Sequence, residues 1–379
     1  MSTSRTVQLT DWLPPEFSAV SQFAILISAQ EAESGGEVTV VGLSTFARSN
    51  TRTKYGAGSV EIVAVQRPPL NRQTWAKRLA WTVVTNIALV RCAWPYMRQS
   101  QTVRFTGSPP FLIYVMVLAN LVLRKKLIYR ITDFYPECII AAIQRKSRLL
   151  DLFQGLTNFL RRRIDAFEVL GEDMRTRLLA CGVDPKRVTL RRDGSPVVFL
   201  PNTLPAARPE MSQGRKLILY SGNWGAAHDI DTFFEGYRRH HDYGSARVVL
   251  WLNATGSGAE EIDARIRSVG LPIIRQKLVP LDELPHLLVA ADAHLVTLRP
   301  EFMGLVLPSK VYGCIASKRP ILFIGPEGSD VHRLCLADIG LQYAQADVGD
   351  PEKVKLALDA LGSGDEGPWC TIVDPATRN

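Results

Sequence analysis

The chain has 379 residues, 46% hydrophobic and 22% charged, ordinary globular proportions that exclude a wholly disordered, collagen-like or coiled-coil protein. At about 150 residues per domain, two to three domains are expected. The net charge of +8 is uneven: residues 1–208 hold 28 Lys/Arg against 15 Asp/Glu, whereas 209–379 hold 17 against 22.

In chain order, short apolar strands alternate with longer helical patterns. Strand 7–9 leads to a helix near 17–31, then strands at 37–41 and 60–65 and a long helix from 74 to about 97. Strand 103–105, helix 111–123 and strand 126–131 follow. A basic stretch, 145–163, precedes strand 166–170 and a helix from 172 to about 180. Pro201–Gly214 interrupts the periodicity with three prolines and is the best linker. The alternation restarts with strand 216–220, helix 231–240, strand 247–252, helix 259–268 and strand 273–277. Helix 281–290, strand 293–298, helix 309–316 and strand 320–324 complete it, and a helix spans 352–361 before a loop-like tail. This is a doubly wound α/β pattern given twice. The expected architecture is two Rossmann-like domains, 1–205 and 206–379, facing across a cleft.

Two stretches carry candidate chemistry. Tyr220-Ser221-Gly222-Asn223-Trp224-Gly225 follows an apolar strand, and glycines there let backbone approach a phosphate. His228-Asp229-Ile230-Asp231 comes next, at a helix start where Asp serves as N-cap; the same spacing is also open to a metal on a diphosphate. The second stretch, Leu298 to Lys310, joins strand to helix. It offers the Glu301 carboxylate, backbone N–H groups around Gly304, and Ser309-Lys310 after Pro308. Six scattered histidines have no ligand spacing beyond the adjacent His240-His241, and six distant cysteines form no CxxC pair. No metal site or disulfide framework is expected, and a reducing cytosol is.

Together, YSGNWGAAHDIDTFFEGY and ADAHLVTLRPEFMGLVLPSKVYGCIASKRPILFIGPEGSDV resemble family 4 glycosyltransferases of the GT-B fold, in the bacterial surface-polysaccharide branch with YSGNxG and PSKxYG motifs. In the first half the likeness is thinner: Asp11–Glu16, Thr132–Glu137 and Val169–Met174 look like family loops. The resemblance implies a retaining, metal-independent transfer from a nucleotide diphosphate sugar, with no cofactor, to a glycan or polyprenyl-linked acceptor. It implies that the donor lies mainly against the second domain. Gly222, Asn223 and Gly225, with His228 beside them, would meet the diphosphate, and Glu301, Phe302, Met303 and Gly304 the sugar. Pro308, Ser309 and Lys310 would hold the phosphates, and Val311 and Tyr312 would lie near the nucleoside. Asp133, Glu301 and Lys310 are the catalytic candidates.

The sequence also departs from that pattern. The family's Arg and Lys after the first strand of the second domain are Asn223 and His228 here, leaving Lys310 and Arg319 to supply positive charge. The family's second glutamate is Gly313, and the histidine preceding Asp133 is Thr132. Two rivals remain: a catalytically weak GT-B partner subunit and a nucleotide-sugar epimerase.

Residues 145–163 read as an amphipathic helix with cations at both ends, either a core helix or one that meets an anionic membrane surface. The apolar run 111–123 is too short to span a bilayer, and the N-terminus lacks a signal-peptide core. No nucleic-acid-binding signature is present. The expected location is cytoplasmic, peripheral to the inner face of the cell membrane.

Overall fold

The computed structural model describes residues 4–16, 18–68, 75–145, 147–212, 214–365 and 367–373. Phe17, Thr74 and Lys146, included in the sequence-based ranges, lie outside them. The chain divides into two compact units, Met1–Arg192 and Asp193–Asn379. The expected boundary at 205/206 therefore falls inside the second unit, for a physical reason. Val197 is buried with Leu217, Leu219 and Trp251, Phe199 and Ala206 pack beside it, and the Ala206 N–H donates to the His286 carbonyl at 2.9 Å.

The first unit contains strands β1 (Arg5–Trp12), β2 (Glu37–Ser44), β3 (Asn50–Tyr55), β4 (Gly58–Gln66), β5 (Thr102–Thr106), β6 (Lys126–Ile131), β7 (Ala166–Val169) and β8 (Val188–Leu190). Its helices are α1 (Ala19–Glu33), α2 (Trp75–Gln99), α3 (Leu112–Leu123), α4 (Glu137–Ile143), α5 (Arg148–Arg161) and α6 (Glu172–Ala180). The sheet order is β3-β4-β2-β1-β5-β6-β7-β8, and among the described residues only the β3/β4 pair is antiparallel. Strand β3 was not expected, because NTRTKY is polar and almost wholly exposed along an edge. One sheet face carries charge: Glu168 is held as carboxylate by Arg104, Arg130 and Arg191, with Arg130 Nη1 at 3.1 Å.

Helix α5 occupies the basic stretch and is not the fully buried helix of the core alternative. Of its residues, Thr157 and Arg161 are the buried ones. The Arg161 guanidinium is fully enclosed and donates to Glu137 Oε2 at 3.0 Å and to the Tyr135 carbonyl at 3.2 Å.

The second unit contains β9 (Lys216–Asn223), β10 (Val248–Thr255), β11 (Ile273–Arg275), β12 (Ala293–Thr297), β13 (Ile321–Ile324), β14 (Gln342–Ala346) and β15 (Cys370–Thr371). Helices α7 (Asp231–Tyr243), α8 (Ser257–Ser268), α9 (Leu284–Ala290), α10 (Lys310–Ala316), α11 (Asp330–Leu336) and α12 (Pro351–Ser363) cover it. The order is β11-β10-β9-β12-β13-β14-β15, parallel except for β14/β15. Strand β9 alternates between two cores: Ile218 and Tyr220 on one side, Leu217 and Leu219 on the other. That is the period of two of a strand buried on both faces.

Within the expected loop-like tail, residues 369–372 return to the sheet of their own unit. Trp369 Nε1 donates to the Ala357 carbonyl at 2.9 Å, β15 pairs with β14, and Ile372 exchanges backbone hydrogen bonds with Leu341 and Gly340 at 2.9 and 2.7 Å.

The Arg161–Glu137 pair supplies the first prediction. Arg161→Met strands a buried carboxylate, and breaking one side of a buried pair costs about 3–5 kcal/mol. Urea unfolding of the variant should show a loss of that size; a loss below about 1 kcal/mol would mean that Glu137 finds solvent.

Candidate functional site

In an open α/β sheet, ligands meet the carboxyl ends of strands where the strand order reverses. In the second unit that point lies beside β9, flanked by β10 and β12. Strand β9 ends in Ser221-Gly222-Asn223, and Gly222 has φ +112°, a conformation that side chains resist. Trp224 then turns inward. Its indole stacks on Tyr220 with centroids 3.8 Å apart, and the Trp224 backbone N–H donates to the Thr255 carbonyl at 2.8 Å.

The two aspartates have distinct duties. Asp229 caps α7, accepting from the Thr232 and Phe233 N–H groups at 3.1 and 3.3 Å. Asp231 is paired with Arg265 at 2.6 Å.

Lys310 opens α10 and sends its ammonium across the opposite face of Tyr220, with Nζ 3.0 Å from the ring centroid. Nζ is buried and has no hydrogen-bond partner among the described residues. Burial pushes its pKa well below the ordinary lysine value. An aromatic face returns about 2 kcal/mol to a desolvated cation but accepts none of its three N–H bonds in the usual sense. His228 stands edge-on to the same ring, 6.0 Å between centroids, with Nδ1 2.7 Å from the Thr297 carbonyl. Burial, then the neighbouring Lys310 charge, lowers its pKa to about 3. The neutral ring thus donates from Nδ1, leaving Nε2 an acceptor.

The loop after β12 is stitched to the same turn: the Arg299 N–H donates to the Ala227 carbonyl at 2.8 Å. Phe302 is buried, Met303 is exposed against Gly328, and Gly304 has φ +72°. Glu301 lies 3.6 Å from Arg299 Nε. Pro308 and Ser309 lead into α10; the Ser309 side chain makes no capping bond.

Gly222, Asn223, Gly225, His228, Glu301–Gly304 and Pro308–Lys310 therefore belong to loops at one sheet edge. Val311 is fully buried in the core, and Tyr312 beside it is buried too. One expectation needs correction. Arg319 lies at the opposite edge, before β13, where Nε and Nη2 both donate to the Val289 carbonyl at 3.0 and 2.7 Å. Gly313 also has a packing reason: a Cβ there would stand 3.2 Å from Leu288 Cδ1, between α10 and α9.

In the first unit the order reverses beside β1, flanked by β2 and β5. Asp133 follows β6 and accepts from the Thr132 hydroxyl at 3.4 Å. Asp11, near the end of β1, accepts from Ser18 Oγ at 2.6 Å and Ser108 Oγ at 2.9 Å. Burial lifts both carboxyls to about 6, and for Asp133 the Asp11 charge adds to the rise. Asp11 was missed as a site residue, although it begins the Asp11–Glu16 loop in the family resemblance. Gly107 packs close against Asp133: a Cβ there would lie 2.8 Å from the Asp133 carbonyl oxygen.

No family model matches the chain. It is 23% identical over 257 residues, 62% of its own length, to a protein named probable glycosyltransferase WbjE from Pseudomonas aeruginosa. The match spans 60% of that relative. Among solved structures, Anabaena HepE in complex with UDP-glucose superposes with a TM-score of 0.61 at 12% identity, covering 94% of this chain and 89% of HepE. A UDP-forming α,α-trehalose-phosphate synthase from Burkholderia vietnamiensis gives 0.62 at 12% identity, covering 94% and 91%. The fold is GT-B, built from two Rossmann-like units.

Two predictions follow from the buried charges. Lys310→Met replaces a buried amino group that makes no hydrogen bond among the described residues with an apolar side chain of similar length. It should stabilise the ligand-free protein by about 1–3 kcal/mol in urea unfolding at neutral pH. Asp133 has a folded pKa, about 6, above its ordinary value of 3.8, so its proton stabilises the fold at low pH. That contribution is lost as pH rises through 6. Asp133→Asn should therefore gain about 1–3 kcal/mol over the parent between pH 4 and pH 7, read from paired unfolding curves.

Proposed function

We propose that the protein is a retaining glycosyltransferase of the family 4 type, moving a sugar from a nucleotide diphosphate sugar to a lipid-linked glycan during bacterial surface-polysaccharide synthesis. The observation that carries this reading is the buried Lys310 ammonium, without a hydrogen-bond partner, beside the Gly222 turn. An unsatisfied buried cation is costly to keep, and a diphosphate oxygen would satisfy it. The names of WbjE and of HepE with its bound UDP-glucose point to the same chemistry.

In this reading Gly222 and Asn223 approach the diphosphate through backbone, and Lys310 neutralises the charge that develops on it. His228, kept neutral, accepts from the donor through Nε2, and Glu301, Met303 and Gly304 face the sugar. The bond from the anomeric carbon to the β-phosphate oxygen breaks as the acceptor hydroxyl oxygen attacks the same face. The hydroxyl proton passes to the departing phosphate oxygen, so no protein nucleophile is needed. Asp133 is the polar group of the acceptor-side unit. Because Asp229 is committed to helix capping and Asp231 to Arg265, charge neutralisation is assigned to Lys310 without a metal. The protein works on the cytoplasmic face of the inner membrane.

UDP and UDP-glucose should raise the melting temperature, since a ligand of the native state alone stabilises it. Lys310→Ala should reduce kcat/KM and UDP affinity by roughly 10–150-fold, the equivalent of about 1.5–3 kcal/mol. Transfer should persist in EDTA and give a product with the donor's anomeric configuration by NMR. Inversion sinks the retaining mechanism, and an EDTA block reversed by Mn²⁺ returns Asp229 and Asp231 to consideration as ligands.

A further inference from the structure

An amphipathic helix on a globular protein ordinarily turns its apolar stripe inward. Helix α5 departs from this: its two buried residues, Thr157 and Arg161, are polar. Besides the Arg161–Glu137 pair, the Thr157 hydroxyl is bonded to the Tyr114 hydroxyl at 2.5 Å, and Phe153 stacks on Tyr114 at 5.3 Å. These contacts fix the helix by one side. Leu149, Leu152, Leu156 and Phe159, spaced by three and four residues, are left outside, the first two 70% exposed.

The neighbouring helices extend this face. On α3, Leu118 and Leu121 follow Tyr114 by one and two turns and are exposed, as is Val122. Leu118 also lines a groove of about 430 Å³ against α2, with Val115, Ala119, Ile87, Val90 and Trp94; Arg91 stands at its side. Val83, Val84 and Ile87 continue the exposed apolar surface along α2.

The charges around this face are mostly positive. Helices α2 and α3 contain no acidic residue, and α5 contains Asp151 alone. Arg145, Arg148, Arg162, Arg163, Arg124 and Lys126 are exposed about the helix ends. The Arg163 guanidinium lies 4.9 Å from the Phe159 ring centroid, placing cation and exposed aromatic side by side. Among the described residues no helix is long and apolar enough to cross a membrane. Aliphatic side chains rimmed by arginine suit the boundary between acyl chains and anionic headgroups.

We propose that the outer face of α2, α3 and α5 docks on an anionic lipid bilayer, and that the α2–α3 groove takes up one hydrocarbon chain of a bilayer lipid. This deepens the lipid-linked acceptor reading by naming the surface that meets the bilayer, and its test uses no sugar transfer, so either can fail alone.

The full chain is mixed with sucrose-loaded vesicles of phosphatidylcholine, with or without about one-third phosphatidylglycerol. Partition should be at least about tenfold stronger onto the anionic vesicles and fall with salt. The exposed-site variant Leu149→Asp/Leu152→Asp should lose at least about tenfold of it while its melting temperature and UDP-induced shift stay unchanged. Phosphatidylcholine brominated on the acyl chain should quench tryptophan emission. Because the chain has seven tryptophans, Trp94→Phe identifies the groove's share, which should be most of the quenching. Ala119→Phe, which fills the groove, should suppress quenching and retain vesicle binding. Equal partition onto both vesicle types, or no effect of the double aspartate variant, overturns the docking surface. Undiminished quenching in Trp94→Phe overturns the groove assignment. Self-association in sedimentation with no vesicle binding assigns the face to a second copy and overturns both.

Discussion

A strand followed by a parallel neighbour must return its chain across the sheet, and every such return leaves the sheet at the same edge. This constraint organises both units. It brings the turn after β9, the loop after β12 and the start of α10 to one border, although almost ninety residues separate Gly222 from Lys310. Within that border the Tyr220 ring is the fixed point, with the Trp224 indole on one face, the Lys310 ammonium on the other and His228 at its edge. Among the described residues the Lys310 amino group has that aromatic face beside it but no hydrogen-bond acceptor.

The sequence was most informative where burial is complete. Parallel strands covered on both faces read as apolar runs, as in LILY of β9 and VVLWL of β10. Edges were harder. NTRTKY of β3 and QYAQA of β14 lack that density and take their places from pairing partners distant in sequence or from a hairpin turn. Helix α5 shows a different limit. Periodicity states which leucines share a face, but the choice of face rests on Arg161 finding Glu137, 24 residues away.

The candidate site was legible by loop and less so by atom. Glycines and a Ser-Lys pair at strand-to-helix junctions marked the border, but not the cation's place over Tyr220. Arg319 was misplaced by its nearness in sequence to Lys310. The intervening helix α10 has seven residues, about 10 Å at 1.5 Å per residue, and carries the chain back to the far edge. Asp11 was overlooked because a carboxylate near a strand end looks unremarkable until Asp133 is set close enough for their charges to interact. Two acids that discourage each other's ionisation are a pairwise property, and no single position announces it.

The short return of the C-terminal segment bears on how the protein can be handled. β15 covers only part of β14, yet with Trp369 and Ile372 it closes the exposed flank of the second sheet. A bare flank presents amide and carbonyl groups in a row, a template for another molecule's strand. Truncation ahead of Trp369 would thus remove more than a few weak contacts: it would uncover an adhesive seam, with colloidal instability its first symptom while the border that holds Lys310 stayed intact.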